Sequence, residues 1–228
     1  MGRNGLAAVF EEAAMTTDYD ALRYEELASI SEFCHALEAD QWDTPSLCEG
    51  WRVRDVIGHM SVGYTTPMPA MVAKLARFGF NVPKASKAES IAFASSRTPE
   101  ELLEVFDSIV RNKIRRGITR VIKPTESLLD HIVHHEDIRR PLGQRRQVPE
   151  ERLVAALNVA PTLAGFVGSK ARSAGLRLEA TDVDWRHGDG PEVRGAGEAL
   201  LLALTGRGVV LDELDGEGVT VLKQRLAV

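Results

Sequence analysis

The sequence predicts a mainly α protein that ends in a small α+β domain. Three observations carry that expectation. Between Tyr19 and Val167 apolar residues recur in several segments at three- and four-residue steps, the mark of amphipathic helices. Helix-start chemistry precedes these segments, most plainly at Thr98-Pro-Glu-Glu, where a capping threonine, a proline and a glutamate three residues after the cap coincide. After Gly175 apolar and polar residues alternate up to Gly188-Asp-Gly-Pro, which reads as short strands and a turn.

Composition bounds the function. A chain of 228 residues with 44% hydrophobic content can bury one core and a second, smaller one. A net charge of −5 and a pI near 5.7 argue against nucleic acid as the main partner, because phosphate binding needs a basic surface. There is no apolar run of about 18 residues and no basic-then-apolar leader, so no membrane partner is expected and the location is read as cytoplasmic. Cys34 and Cys48 have no secretory context and do not fit a zinc ribbon, so no disulfide is expected.

Taken in order, residues 1–15 read as an extension without a role, since Met15 precedes Thr-Thr-Asp-Tyr-Asp and a helix capped at Asp18 or Asp20. From Tyr19 to Ala39 the stripe of Leu22, Leu27, Ile30, Phe33, Cys34 and Leu37 predicts the first helix. Cys34 then packs as a small hydrophobe, and His35 lies at the surface. Turn residues Thr44-Pro45-Ser46 and Glu49-Gly50 lead into a helix from about Arg52 to about Phe78, kinked or interrupted by Pro67 and Pro69. The stretch from Gly79 to Arg97 reads as a loop or broken helix. Thr98 opens the next helix, with Leu102, Leu103, Phe106 and Ile109 inward and the basic run Arg111 to Arg120 as its solvated end or, less simply, as a contact for an acidic ligand. A helix from Val148 to Val167 should bend at Pro161. Two strands, a third at Glu192-Val-Arg, a buried helix over Ala196 to Thr205 and a last helix over Val219 to Leu226 complete the chain. Trp185 reads as packing and His187 as exposed.

The densest chemistry lies in Ser127-Leu-Leu-Asp-His-Ile-Val-His-His-Glu-Asp-Ile-Arg-Arg-Pro141, with three histidines and three carboxylates. Residues at i and i+4 share a helix face, so Asp130 stacks on His134 and His131 on His135. A carboxylate beside an imidazole is two-thirds of a catalytic metal site, which takes three protein ligands and leaves one position open. The third ligand must come from elsewhere. His59 alone would read as a structural histidine, but an imidazole at core depth is what this cluster lacks. His131 and His135 are each rotated by about 100° from their neighbours. His131 is expected behind the site or at the surface, and His135 exposed. Asp137 could support the ring of His134 by a hydrogen bond, or pair with Arg140 or Arg52.

Thr44-Pro-Ser-Leu-Cys-Glu-Gly-Trp-Arg-Val-Arg-Asp-Val-Ile-Gly-His59, followed by Asp130-His-Ile-Val-His134-His-Glu-Asp137-Ile-Arg-Arg-Pro-Leu-Gly143, resembles the mycothiol-dependent maleylpyruvate isomerase family, within the DinB-like superfamily. The resemblance implies a DinB-like four-helix bundle over residues 16–145, a linking helix over 146–174 and a small α+β domain over 175–228. That last part, through Val193-Arg-Gly and Leu204-Thr-Gly-Arg207, is similar to sterol carrier-like domains. It also implies metal ligands at His59, Asp130 and His134. The isomerase has glutamate where this chain has Asp130, a methylene shorter.

The function expected is metal-dependent thiol transfer or isomerisation of a small electrophilic substrate. A divalent metal, Zn²⁺ by its donors, would hold the thiol as thiolate, and the resemblance implies mycothiol as cosubstrate. No protein nucleophile is assigned. Two alternatives stay open. One is a metal-dependent hydrolase with Glu136 or Asp137 as base; the other is a non-catalytic thiol- or metal-binding protein.

Overall fold

The computed structural model describes residues 17–165 and 167–227, so the expected extension 1–15 lies outside the described residues. Helix α1, Tyr19–His35, is capped by Asp18, whose carboxylate accepts from the Ala21 amide at 3.0 Å. A 3₁₀ turn, Ala39–Asp43, buries Trp42 and leads into α2, Val53–Thr65. Pro67 ends α2 and starts α3, Met68–Arg77, as the interrupting prolines predict. Helix α5, Pro99–Asn112, carries the full capping box between Thr98 and Glu101. Helix α6, Pro124–Arg139, follows.

Two expectations need correction here. The stretch from Gly79 to Arg97 is mostly helical: α4 runs Val82–Ser95. Asn81 caps it by accepting from the Lys84 amide, and Pro83 sits in its first turn, a start signal as good as that at Thr98. The helix after Val148 is shorter than expected. Helix α7 spans Glu150–Val159, and Pro161 turns the chain into a 3₁₀ segment, Ala160–Thr162, rather than bending a continuing helix; proline has no amide hydrogen to extend the ladder.

Helices α1, α2, α5 and α6 form a four-helix bundle. Its core holds Leu27, Ile30 and Phe33 of α1, Val56 and Ile57 of α2, Leu102, Phe106 and Ile109 of α5, and Ile138 of α6. Cys34 is buried in it, as expected. Helix α4 lies across α2 at close range. A Cβ on Gly58 would stand 2.7 Å from the Ser90 carbonyl, so only glycine allows that approach.

Beyond α7 comes the small α+β domain: α8, Ser169–Ser173; β1, Arg177–Ala180; β2, Arg186–His187; β3, Glu192–Gly195; α9, Gly197–Leu204; β4, Leu214–Asp215; and α10, Gly218–Leu226. The sheet order is β2-β1-β3-β4. Strands β1 and β3 run parallel, with Leu178 opposite Val193, and the two outer pairs are antiparallel. The two-residue β4 has no alternation to announce it in the sequence. Trp185 is buried and His187 exposed, as expected.

Helix α6 belongs to both cores. Its Leu128, Leu129, Ile132 and Val133 pack with Leu153 and Leu157 of α7, Leu178, Val193, and Leu200 and Leu204 of α9. Consequently every residue from Ser127 to Ile138 is buried except Asp130. No described helix is long and apolar enough to cross a membrane.

Candidate metal centre

Asp130 is the one opening in an otherwise enclosed helix. Half of its side chain is exposed, while that of His134, one turn on, is 10% exposed. His134 Nε2 lies 3.5 Å from Asp130 Oδ1. From α2, the ring of His59 meets that of His134 edge-on at 5.0 Å between centroids. One donor atom from each of His59, Asp130 and His134 falls within 4.8 Å of the others. The indole of Trp51 closes the side, with ring centroids 5.0 Å from His59 and 6.2 Å from His134.

Each imidazole is held from behind. Ser86 and Ser90 of α4 place their hydroxyls 3.2 and 3.4 Å from His59 Nδ1, which leaves Nε2 free. His134 Nδ1 donates to Asp137 Oδ2 at 2.8 Å, the arrangement usual for a metal-binding histidine. Asp137 itself pairs with neither Arg140 nor Arg52. Its oxygens accept from Arg207, at 2.6 and 2.9 Å, and from the Cys48 thiol at 3.1 Å. Arg140 instead binds Glu198 and Glu213, and Arg52 binds Asp43 and Asp55.

Electrostatics favours a cation at this point. Burial, reinforced by the nearby His134, lowers the His59 pKa to about 4, so its nitrogen carries a free lone pair at neutral pH. Burial acts against a charged His134, but Asp130 and the hydrogen bond that the ring donates to Asp137 prevail and raise its pKa well above the ordinary imidazole value. Desolvation likewise opposes ionisation of Asp130 and is outweighed by His134 and His59. Carboxylates that stabilise positive charge on a ring stabilise it equally on an ion beside that ring. Two neutral-capable imidazoles and a carboxylate also match the donor set of a catalytic divalent site. Cys48, His134 and Asp137 form a second convergent group. There the guanidinium of Arg207 already faces Asp137 and stands 3.8 Å from Cys48 Sγ, so the cation of that group is an arginine.

One flanking histidine corrects the sequence expectation. His135 is fully buried, not exposed: its Nδ1 donates to Glu26 of α1 at 2.8 Å. His131 is buried too, beneath Tyr64, whose hydroxyl is 3.3 Å from Nε2. Burial lowers both rings to about 4. The helical wheel gives their angle correctly; what it lacks is the neighbour on every side. Glu136 and Asp137, the alternative bases, are buried and paired with Arg146 and Arg207, so neither faces the opening. In the basic run, Arg111 pairs with Glu104 and Asp107, and Arg115 with Asp20.

Residues 24–115 match the protein family described as the mycothiol maleylpyruvate isomerase N-terminal domain. The match contains His59 and stops before Asp130 and His134. A crystal structure of the mycothiol-dependent maleylpyruvate isomerase superposes with a TM-score of 0.57 at 17% identity, covering 87% of this chain and 91% of that one. A histidine-to-alanine mutant of the isomerase gives the same TM-score and coverage at 16% identity. At such identity the likeness is one of fold, and it reaches beyond the bundle. No curated protein matches the sequence.

Arg207 and Cys48 were not assigned to the site from the sequence. Cys48 lies inside the Thr44–His59 stretch, so its position was a signal. Arg207 follows α9 and reaches Asp137 across 70 residues of sequence, a contact no local spacing announces.

Proposed function

We propose that this protein is a mycothiol-dependent isomerase or thiol transferase acting on a small electrophilic substrate, with a divalent metal held by His59, Asp130 and His134. The observation that supports it most is the convergence of these three donors at the single exposed point of α6. Bound there, a divalent cation supplies a Lewis acid that lets a thiol ionise at neutral pH, and zinc suits two imidazoles with one carboxylate.

The protein's own residues prepare that step. Ser86 and Ser90 contact Nδ1 of His59, and Asp137 accepts from Nδ1 of His134, which leaves both Nε2 atoms available as ligands. Arg207 and the Cys48 thiol hold Asp137 in turn. Trp51 excludes water from one side, and Asp130 marks the side from which ligands enter. In the isomerisation, thiol sulfur adds to one carbon of an activated double bond, the new single bond rotates, and loss of the thiol restores the double bond in the trans geometry. Transfer would stop at the adduct.

The test combines metal analysis of the purified protein with turnover of maleylpyruvate and related electrophiles. Metal-dependent turnover that requires mycothiol supports the reading. Turnover that needs metal but no thiol would establish a hydrolase, and stoichiometric metal without any reaction would leave a binding protein.

A further inference from the structure

Helix α6 presents a second charged surface on its far side. At about 100° per residue, Arg139 stands roughly half a turn of the wheel from Asp130. There a cavity of about 430 Å³ lies between α1, the end of α6 and the start of α7, lined by Arg139, Arg146, Arg152 and Phe33, with Gln144 and Gln147 exposed at its edge. The depression is open to solvent on one side and large enough to admit a small molecule.

The three arginines are not equivalent. Arg146 and Arg152 both bind the carboxylate of Glu26, and Arg146 also binds Glu136. Glu26 is fully buried behind them, so it anchors their guanidiniums without offering an oxygen to the cavity. Arg139 has no acidic partner among the described residues. It lies over the Phe33 ring at 4.2 Å, donates from Nε to the Gln144 carbonyl, and places Nη1 3.4 Å from His135 Nε2. Burial and the adjacent Arg146 both disfavour its charged form, a cost that an anion in the cavity would relieve. Arg152 uses only Nη1 toward Glu26. Among the lining residues the one other acid is Glu32, exposed at the edge.

We propose that this cavity is a second ligand site, separate from the metal centre, for a small molecule carrying two oxyanion groups, carboxylate or phosphate, held by Arg139 and Arg152. Guanidinium forks match both groups, and Phe33 with Glu26 fixes the forks in advance, which reduces the ordering cost of binding. The argument does not depend on the reaction proposed for the metal centre.

Isothermal titration of the full chain with succinate and, separately, inorganic phosphate, at constant ionic strength, tests the site. The expected result is saturable one-to-one binding of at least one of them. Binding should weaken about tenfold or more in Arg139→Gln and in Arg152→Gln and stay unchanged in His134→Ala. Succinate alone would point to a dicarboxylate ligand, and phosphate alone to a phosphorylated one. If Arg139→Gln does not fold, Arg152→Gln decides, since its side chain does not support Phe33. Absence of saturable binding by both probes would overturn the proposal. So would binding that vanishes in His134→Ala and persists in Arg152→Gln.

Discussion

Asp130 and His134 stand one turn apart on α6 with Oδ1 and Nε2 separated by 3.5 Å, yet one side chain is half exposed and the other nearly covered. The pair therefore joins a buried, oriented imidazole to an entry point from solvent. Removing the imidazole should abolish the site, not merely weaken it. His134→Ala and His59→Ala are each expected to reduce bound metal from about one per chain to near zero, whereas His131→Ala should retain it, because His131 faces Tyr64. Elemental mass spectrometry of the purified variants decides this. Full metal in both His59→Ala and His134→Ala would exclude the three-donor site.

Arg207 and Asp137 tie the α+β domain to α6. Asp137 is fully buried, and burial opposes its ionisation, but the hydrogen bonds from His134 and Arg207 hold its pKa far below the usual range. Arg207→Leu removes the guanidinium from that buried carboxylate, for which the expected loss of stability is about 3 kcal/mol. Arg207→Lys should recover part of it. Urea denaturation of the three proteins measures both effects. A loss near zero would mean that Asp137 finds compensation from Cys48 and His134 alone.

Much of this architecture was legible in the sequence, and the parts that were not have identifiable causes. The stripe of Leu27, Ile30 and Phe33 and the capping box at Thr98 specify α1 and α5 locally, so periodicity sufficed. Helix α4 was hidden because small residues, Ala85, Ser90 and Ala94, form its buried side; they give little hydrophobic contrast. The spacing of Asp130 and His134 locates two of the three candidate donors. The environment of His135 could not be read, since its partner Glu26 lies 109 residues away and a helix enclosed on all sides has no polar face to betray its orientation.

The acid limb of the stability curve should carry the signature of Glu26. Burial by itself would raise this carboxyl, but His135 and Arg146 outweigh it and bring the pKa down to about 2. A depressed folded-state pKa contributes stability that is complete above the ordinary value of 4.5 and is lost as pH falls through the folded value. The window is therefore about pH 4.5 to 2. Glu26→Gln should be less stable near neutrality, with Arg152 left without an acidic partner and Arg146 with Glu136 alone, and should lose less on acidification. Urea midpoints of both proteins between pH 6 and about 2.5 test this, and parallel curves would contradict it.

Gly58 provides the last test, because it connects backbone packing to the candidate metal centre. A methyl group there would meet the Ser90 carbonyl at 2.7 Å and the Ala94 Cβ at 3.1 Å. Neither can swing aside as a flexible side chain would, so Gly58→Ala must push α4 away from α2. The steric cost is expected to be about 1–3 kcal/mol, which exceeds the roughly 1 kcal/mol that alanine gains in helix propensity at most. Displacement of α4 also withdraws Ser86 and Ser90 from His59 Nδ1. Loss of such supporting contacts weakens metal binding by about 10–100-fold. Ser90→Ala should reproduce part of the affinity loss without the steric cost. Calorimetric melting and competitive metal titration of the two variants separate these effects. If Gly58→Ala melts lower but binds metal as tightly as wild type, the serines of α4 do not orient His59.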